Sequence, residues 1–389
     1  MPNSSHKSEA LNVLVIGAGV IGLACAWRLA QRGARVRVLE RDAPGSGATG
    51  AAAGMLAPVG EASWGDRGLL AMSLASARTW PEFAAELERE SGIAPGFRRN
   101  GALHVALDRD EAEALRRRHA LHEELGLDAE WLRPSACRGL EPGLAPRVAA
   151  GVHAGHEAQV DPGPLVDALA EAARSAGAEL EPGAEATEAL VEGGTLAGVR
   201  TADGRELRAE GVVLAAGCWS GAEWLPELAR PPVRPVKGEI LTLRGPAERP
   251  VCKRIVASER VYMVPRADGR LVVGATVEER GFDTAVSAGG VHELLREAYR
   301  ALPEVAELEL LEARAGLRPG TPDNLPLIGA GALDGLILAT GHFRNGILLA
   351  PLTADAVAAI VAGERPPDEV ATADPGRLAA AVPPEVAAR

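Results

Sequence analysis

A chain of 389 residues, 24% charged and 47% hydrophobic, has the composition of an ordinary soluble protein and is long enough for about two domains, or one with an insertion. Its net charge of −12 argues against nucleic acid as a partner, because phosphate binding needs a basic patch. Lysine is almost absent (Lys7, Lys237 and Lys253), a bias that reflects GC-rich coding and not function.

Residues 1–9 are polar and expected to form a flexible tail. Lys7 then precedes an apolar run, Val13 to Ala26, in which Ala24-Cys25-Ala26 resembles a signal-peptidase site. The run is too short to span a membrane, and the glycines within it have another explanation. Leu11 to Ile16 reads as a strand, Gly17-Ala18-Gly19-Val20-Ile21-Gly22 opens a helix to about Gln31, and Ala34 to Leu39 is a second strand ending at Glu40. This is Gly-x-Gly-x-x-Gly in the strand–turn–helix context that a dinucleotide needs. Gly17 permits the tight turn, Gly19 lets a pyrophosphate approach the backbone, and Gly22 lets helix and strand pack closely. Glu40 is placed to accept hydrogen bonds from an adenosine ribose. The small-residue stretch Ala48-Thr49-Gly50-Ala51-Ala52-Ala53-Gly54 before Met55 lets backbone come close to a flat ring.

Helices are expected over Arg67–Ser91 and Arg109–Leu125, around a short strand at Ala102–Leu107. Val160-Asp161-Pro162-Gly163-Pro164 introduces a helix to Ala176, with Asp161 as its cap. Ala178–Ala189 and Leu196–Arg200 alternate as short strands. Gly211–Gly217 is continuously apolar, as a central parallel strand is, and runs into the turn Gly217-Cys218-Trp219-Ser220. Residues 233–280 suggest an antiparallel sheet, with Tyr262-Met263-Val264-Pro265-Arg266 and Arg270–Val277 as a hairpin about Ala267-Asp268-Gly269. A helix at Gly290–Leu302 and a strand near Leu308–Leu317 follow. Leu336–Ala339 then enters Thr340-Gly341-His342-Phe343-Arg344-Asn345-Gly346 and a helix from Ile347 to Ala362. Strand, glycine loop and helix bring backbone N–H groups and a helix N-terminus to one spot, which suits anionic or electron-rich groups.

The elements predict an α/β fold. Residues 10–62, 155–230 and 316–375 form a discontinuous dinucleotide domain, and residues 63–154 and 231–315 an inserted α+β substrate domain on an antiparallel sheet. A second flexible tail is expected at 376–389. Cys25, Cys137, Cys218 and Cys252 form no Cys-x-x-Cys pair, so neither a metal site nor a disulfide framework is expected, and a reducing, cytoplasmic setting is. No basic amphipathic helix offers a membrane face.

Six segments carry a resemblance: Gly17 to Gly22, Thr49 to Met55, Gly217 to Ser220, Tyr262 to Arg266, Ala315 to Thr321, and Gly341 to Leu348. In this order the chain resembles the FAD-dependent amine oxidases of the D-amino acid oxidase superfamily over nearly its whole length. Within it, the pairing of Gly316-Leu317-Arg318-Pro319-Gly320-Thr321 with Gly341-His342-Phe343-Arg344-Asn345-Gly346-Ile347-Leu348 is similar to the glycine oxidases of bacterial thiamine biosynthesis. The resemblance implies a Rossmann-like FAD-binding domain of the D-amino acid oxidase type, with FAD held noncovalently. It implies hydride transfer from glycine, sarcosine or a small D-amino acid to flavin N5, and reoxidation by O2 with release of hydrogen peroxide. The imine of glycine gives glyoxylate and ammonia, or is passed on to build the thiazole of thiamine. A homo-oligomer, often a tetramer, is implied as well.

By the same resemblance, Arg318 grips the substrate carboxylate, a task that suits the guanidinium fork and not a lysine. Tyr262 and Arg344 assist it, and Met55 lies beside substrate or flavin. FAD is implied to lie against Gly17, Gly19, Val20, Ile21, Gly22, Glu40, Arg41, Ala48, Thr49, Ala53, Gly54, Met55, Ala186, Gly217, His342, Phe343, Arg344, Asn345, Gly346, Ile347 and Leu348. No side chain is expected to act as acid or base, because hydride transfer from a neutral amine requires orientation and exclusion of water; His342 is expected to organise its loop. Gly50 stands where the family usually has Ser, implying one lost hydrogen bond near the flavin, and Ala186 where it usually has Val. No Cys follows Cys252, so the covalent flavin link of sarcosine oxidase relatives cannot form. Two other classes stay open: an amine dehydrogenase with a non-oxygen acceptor, and a non-catalytic flavin binder. Flavoprotein hydroxylases are set aside because the only Gly-Asp, Gly65-Asp66, follows no late strand.

Overall fold

Strand β1 (Asn12–Ile16) is buried on both faces, and its alternating side chains sort the first half of the molecule. Val13 and Val15 join a helical layer, while Leu14 and Ile16 join a second layer of strands. The computed structural model describes residues 10–62 and 67–379. The expected tail at 1–9, residues 380–389 of the second tail, and Gly65-Asp66 lie outside the described residues.

From β1 the chain turns into α1 (Val20–Gln31), and β2 (Arg35–Glu40) runs parallel to β1. A short β3 (Met55–Leu56) and the long α2 (Arg67–Ser91) precede a first excursion: β4 (Ala102–Ala106), α3 (Arg109–Glu124), β5 (Glu130–Leu132), α4 (Pro134–Leu140) and β6 (Ala150–Ala154). Strand β7 (Ala158–Gln159) pairs with β3, and α5 (Pro162–Ser175) leads to β8 (Glu179–Pro182) beside β2. Strands β9 (Ala186–Glu192), β10 (Thr195–Thr201) and β11 (Glu206–Arg208) form a small antiparallel sheet before β12 (Gly211–Leu214) joins the other edge of β1. The second excursion is β13 (Arg234–Arg244), β14 (Ile255–Ala257), β15 (Tyr262–Pro265), β16 (Arg270–Gly274), α6 (Ala288–Ala301) and β17 (Glu309–Gly320). Strands β18 (Leu327–Ala330) and β19 (Leu336–Thr340), helix α7 (Gly346–Val361) and the single turn α8 (Gly376–Ala379) complete the described chain.

The first sheet has the order β18-β19-β12-β1-β2-β8, parallel except for β18. Helices α1, α2, α5 and α7 cover one face, and the three-stranded sheet covers the other. The second sheet has the order β17-β13-β16-β15-β14-β4-β6-β5. It is antiparallel except where β14 runs parallel to β4, so the expected antiparallel sheet is a mixed one. One face packs on α4 and α6; the other meets Ala53 and Met55, where the two sheets approach each other. No described helix is long and apolar enough to cross a membrane.

Four local expectations are corrected. Helix α2, expected on the substrate side, buries Trp80, Phe83 and Leu87 among α1, α5 and α7. Its Ser76 and Trp80 also donate to the Leu348 carbonyl at 2.6 and 2.9 Å, next to Pro351, which interrupts the regular pairing of α7. Strand β17 runs past its expected end near Leu317, because its ladder with β13 continues to Gly320. Asp161 stands at the start of α5 without capping it, its carboxylate being taken by Arg270. Residues 376–379 are not a loose tail: Arg377 anchors the turn to Asp323 at 2.8 Å.

A Cβ on Gly22 would lie 1.9 Å from the Gly17 carbonyl oxygen, which is backbone and cannot give way. Gly22→Ala is therefore expected to cost about 1–3 kcal/mol and to weaken FAD retention; an unchanged denaturation midpoint would contradict the packing described.

Candidate active site

Glycine at position 17 is dictated by its φ of +102° and by the Ala215 carbonyl oxygen, 2.6 Å from where a Cβ would be. Gly19 is open by comparison, with only the Thr49 hydroxyl at 3.4 Å. That hydroxyl accepts the Val20 N–H at 3.1 Å. Glu40, at the end of β2, accepts the Ala18 N–H at 2.8 Å and the Asp42 N–H at 2.9 Å, so the carboxylate ties the turn to the neighbouring strand. Gly19, the residue before α1, has no side chain to cap the helix, so past the Val20 N–H its first turn is receptive to an anion.

From this turn a cavity of about 730 Å³ runs between the two sheets to Tyr262 and Arg318. Of the residues expected at cofactor or substrate, Gly17, Gly19, Val20, Ile21, Glu40, Arg41, Ala48, Thr49, Ala53, Gly54, Met55, Ala186, Gly217, Tyr262, Arg318 and His342 to Leu348 all line it. Gly22 does not, being behind the turn. Gly50 does not either. A Cβ at position 50 would lie 2.7 Å from the Gly45 carbonyl oxygen and 3.0 Å from Arg314, whose guanidinium bonds the Gly50 carbonyl.

At the far end, β15 supplies Tyr262, β17 supplies Arg318, and the loop before α7 supplies Arg344. Each of the first two lies across a glycine of a neighbouring strand. A Cβ on Gly238 would lie 2.2 Å from Arg318 Nη1, and one on Gly274 2.5 Å from the Tyr262 hydroxyl. Arg318 Nη1 donates to the carbonyls of Lys237 at 3.2 Å and Thr276 at 3.1 Å. Burial draws the Arg318 pKa below its usual value, Tyr262 opposes that shift, and the Arg344 charge adds to it. Burial likewise raises the Tyr262 phenol, so it stays a neutral donor.

The loop over this end is tightly held. Phe343 adopts a φ of +47°, a costly conformation for a bulky side chain, and its N–H donates to the Pro319 carbonyl at 3.0 Å. Thr340 meets Ser220 at 2.7 Å and donates to the Gly217 carbonyl at 3.1 Å, joining the two glycine turns. His342 is buried against Thr353 at 3.0 Å, and desolvation pushes its pKa down to about 3. It is neutral and already bonded, an organiser of the loop.

Other contacts around the cavity were not foreseen from the sequence. Glu61 and Arg118 line the same end as Arg318, and burial pushes the Glu61 pKa up to about 7 against the opposing pull of Arg344 and Arg318. Arg41 stacks over Trp219 at 4.7 Å, and Phe282 stacks on the same indole at 5.9 Å. Arg266, the last residue of the Tyr262 motif, is buried and donates to the carbonyls of Ala53 at 2.6 Å and Val160 at 3.0 Å, which clamps the small-residue segment to the second sheet. Their roles come from contacts distant in sequence, for which no local pattern exists.

A Rossmann-like sheet with its glycine turn at one end of the cavity, and two arginines with a tyrosine at the other, defines a dinucleotide-dependent oxidoreductase. The family is specific: the chain belongs to the D-amino acid oxidase (DAO) family of FAD dependent oxidoreductases, whose model matches residues 12–360. The cavity fits that cofactor, being long enough to span both sheets and cradled by an uncapped helix N-terminus at the turn. The bifunctional protein ThiO/ThiG of Trichormus variabilis is 37% identical over 91% of this chain and 53% of its own length, so the chain spans about half of that relative. The glycine oxidase of Geobacillus kaustophilus is 38% identical over 90% of this chain and 92% of its own. The crystal structure of glycine oxidase from that organism matches with a TM-score of 0.87 at 35% identity, covering 94% of this chain and 98% of that one. The hydrogen cyanide synthase subunit HcnC of Pseudomonas aeruginosa is 32% identical over 98% of both chains. The resemblance drawn from the motifs, the fold class and the FAD cofactor are thus borne out.

The depressed His342 pKa of about 3 has a defined sign. Below pH 6.5 the unfolded chain protonates this residue and the folded chain does not, so stability is full above that value and falls by about 1.4 kcal/mol per pH unit below it. His342→Gln is expected to flatten the decline of the unfolding midpoint between about pH 6 and pH 4; a slope equal to that of the parent would mean the imidazole is protonated in the fold.

Proposed function

We propose that the protein oxidises glycine, and also sarcosine and small D-amino acids, to imines that water converts, for glycine, to glyoxylate and ammonia, in the thiazole branch of thiamine biosynthesis. The observation that carries this reading is the convergence of Arg318, Tyr262 and Arg344 on one end of the cavity, opposite the glycine turn. The names of the glycine oxidase and ThiO/ThiG relatives support it.

FAD held in this cavity would supply the two-electron acceptor for the hydride of the substrate Cα, with O2 as the final oxidant and hydrogen peroxide as its product. Arg318 binds the substrate carboxylate through the guanidinium nitrogens that its two carbonyl partners leave free. The Tyr262 hydroxyl donates to the same carboxylate, Arg344 adds a second cation from the loop, and Met55 packs beside substrate and ring. No residue is needed as acid or base, and His342 is engaged with Thr353. Confinement between the two sheets excludes water and orients the Cα–H bond.

For the cofactor, residues 10–62, 155–230 and 316–375, together with α2, form the binding unit. Gly17, Gly19, Val20 and Ile21 at the start of α1 hold the pyrophosphate, Glu40 and Arg41 the ribose side, and Ala186 the adenine. Gly22 supports the turn from behind. Ala48, Thr49, Ala53, Gly54 and Gly217 flank the flavin, with His342, Phe343, Asn345, Gly346, Ile347 and Leu348 closing over it. The absence of cysteine after Cys252 agrees with noncovalent attachment. The working form is a cytoplasmic homo-oligomer that uses O2 as acceptor.

The purified yellow protein is expected to form one peroxide per glycine oxidised under air, with activity on sarcosine, D-alanine and D-proline in the same assay. Oxidation of glycine without peroxide would point to another electron acceptor, and a colourless protein would sink the reading. Arg318→Lys is expected to raise the KM for glycine roughly 10- to 100-fold, the worth of a charged hydrogen bond, with FAD content kept. An unchanged KM would remove Arg318 from the carboxylate site.

A further inference from the structure

Behind Arg318 lies a buried polar knot that the proposed chemistry does not use. Lys237 of β13 is 2% exposed, and its ammonium donates to the Ala285 carbonyl. It also meets Glu239 at 3.0 Å, Glu278 at 3.8 Å and Asp283 at 3.8 Å. Glu239 is fully buried and accepts the Ser287 N–H at 2.9 Å. One lysine thus gathers the strand and the segment from Thr276 to Ser287.

The same two backbones hold the substrate-side guanidinium. Arg318 Nη1 donates to the carbonyl of Lys237 itself and to that of Thr276. The Lys237 carbonyl also accepts the Glu278 N–H at 3.0 Å, and the Lys237 N–H returns a bond to the Glu278 carbonyl at 2.9 Å. Thr276 is pinned on both sides: its N–H bonds the Glu239 carbonyl at 3.2 Å, and its hydroxyl accepts the Glu239 N–H at 2.9 Å while donating to Glu278 at 2.8 Å. With no side chain at Gly238 to bear on the guanidinium, these two carbonyls hold it from behind, while Tyr262 meets it from the cavity.

We infer that Lys237 is a positioning residue for Arg318: its ammonium locks the segment 276–287 onto β13, and that lock aims the Lys237 and Thr276 carbonyls that orient the carboxylate-binding guanidinium. The inference rests on Arg318 being the carboxylate ligand. A lysine serving stability alone would hold the segment without affecting how tightly a carboxylate binds. A lysine acting through Arg318 affects binding of any carboxylate, with or without an amine, and leaves the rate of the bound complex nearly unchanged.

The test uses the FAD-loaded full chain with Lys237→Met. The KM and kcat for glycine are read by peroxide formation, and the Kd of acetate by perturbation of the flavin spectrum. The KM and the acetate Kd are expected to rise together by about tenfold, with kcat within about twofold and FAD content unchanged. A lower melting temperature with both constants unchanged overturns the inference. Because Lys237→Met leaves the Glu239 carboxylate buried without its cation, it can fail to fold. Lys237→Met combined with Glu239→Gln then decides, since it removes the ammonium together with its buried counter-charge. A parallel rise of about threefold in KM and acetate Kd supports the inference, and no change in either overturns it. Acetate binding needs no turnover, so a parent enzyme inactive on glycine but binding acetate through Arg318 counts against the proposed function alone.

Discussion

Arg318 stands where it does because position 238 has no side chain. Its guanidinium occupies the space a Cβ would take, and two backbone carbonyls fix one of its nitrogens. Burying a guanidinium is costly unless its donors are satisfied, and this arrangement satisfies one nitrogen while leaving the others for a ligand. The long β13–β17 ladder serves this geometry. Its register sets Gly316 opposite Gly238 and Arg318 opposite Val236, so the arginine leans across a channel of two glycines. Gly316 has a second task, since a Cβ there would lie 2.4 Å from that of Ala51. The second sheet thereby touches the small-residue segment that borders the cavity.

At the cavity's other end the same economy of side chains applies with a different aim. Gly17 and Gly22 let β12, the turn and α1 close on each other, whereas the space at Gly19 is left open. Glu40 and Thr49 hold the turn's N–H groups in place. An uncapped helix N-terminus attracts anions through its unpaired N–H groups and its dipole. At the cavity's far end Arg318 and Arg344 gather with Tyr262 instead.

Much of this was legible before any tertiary contact. The glycine turn, Glu40, the Arg318 motif and the loop from Gly341 to Leu348 are local patterns with local physical reasons, and they identify the family. Helix α2 was not assigned correctly, because its buried stripe does not say which layer it will face; Trp80 and Ser76 found their partner in a carbonyl of α7. The surroundings of Gly50 were equally out of reach of local patterns, since Gly45 and Arg314 meet it only in the fold.

The sequence by itself determined the family, the cofactor and the residue types at both ends of the cavity, because those depend on spacings of a few residues along one turn or one strand. Only the tertiary structure decided which glycine makes room for Arg318, that Arg266 clamps the Ala53 carbonyl, and that Lys237 lies buried behind the substrate end. These depend on strand register and on sheet-to-sheet contact, where residues far apart in the chain meet, and no local pattern specifies a partner at such a distance.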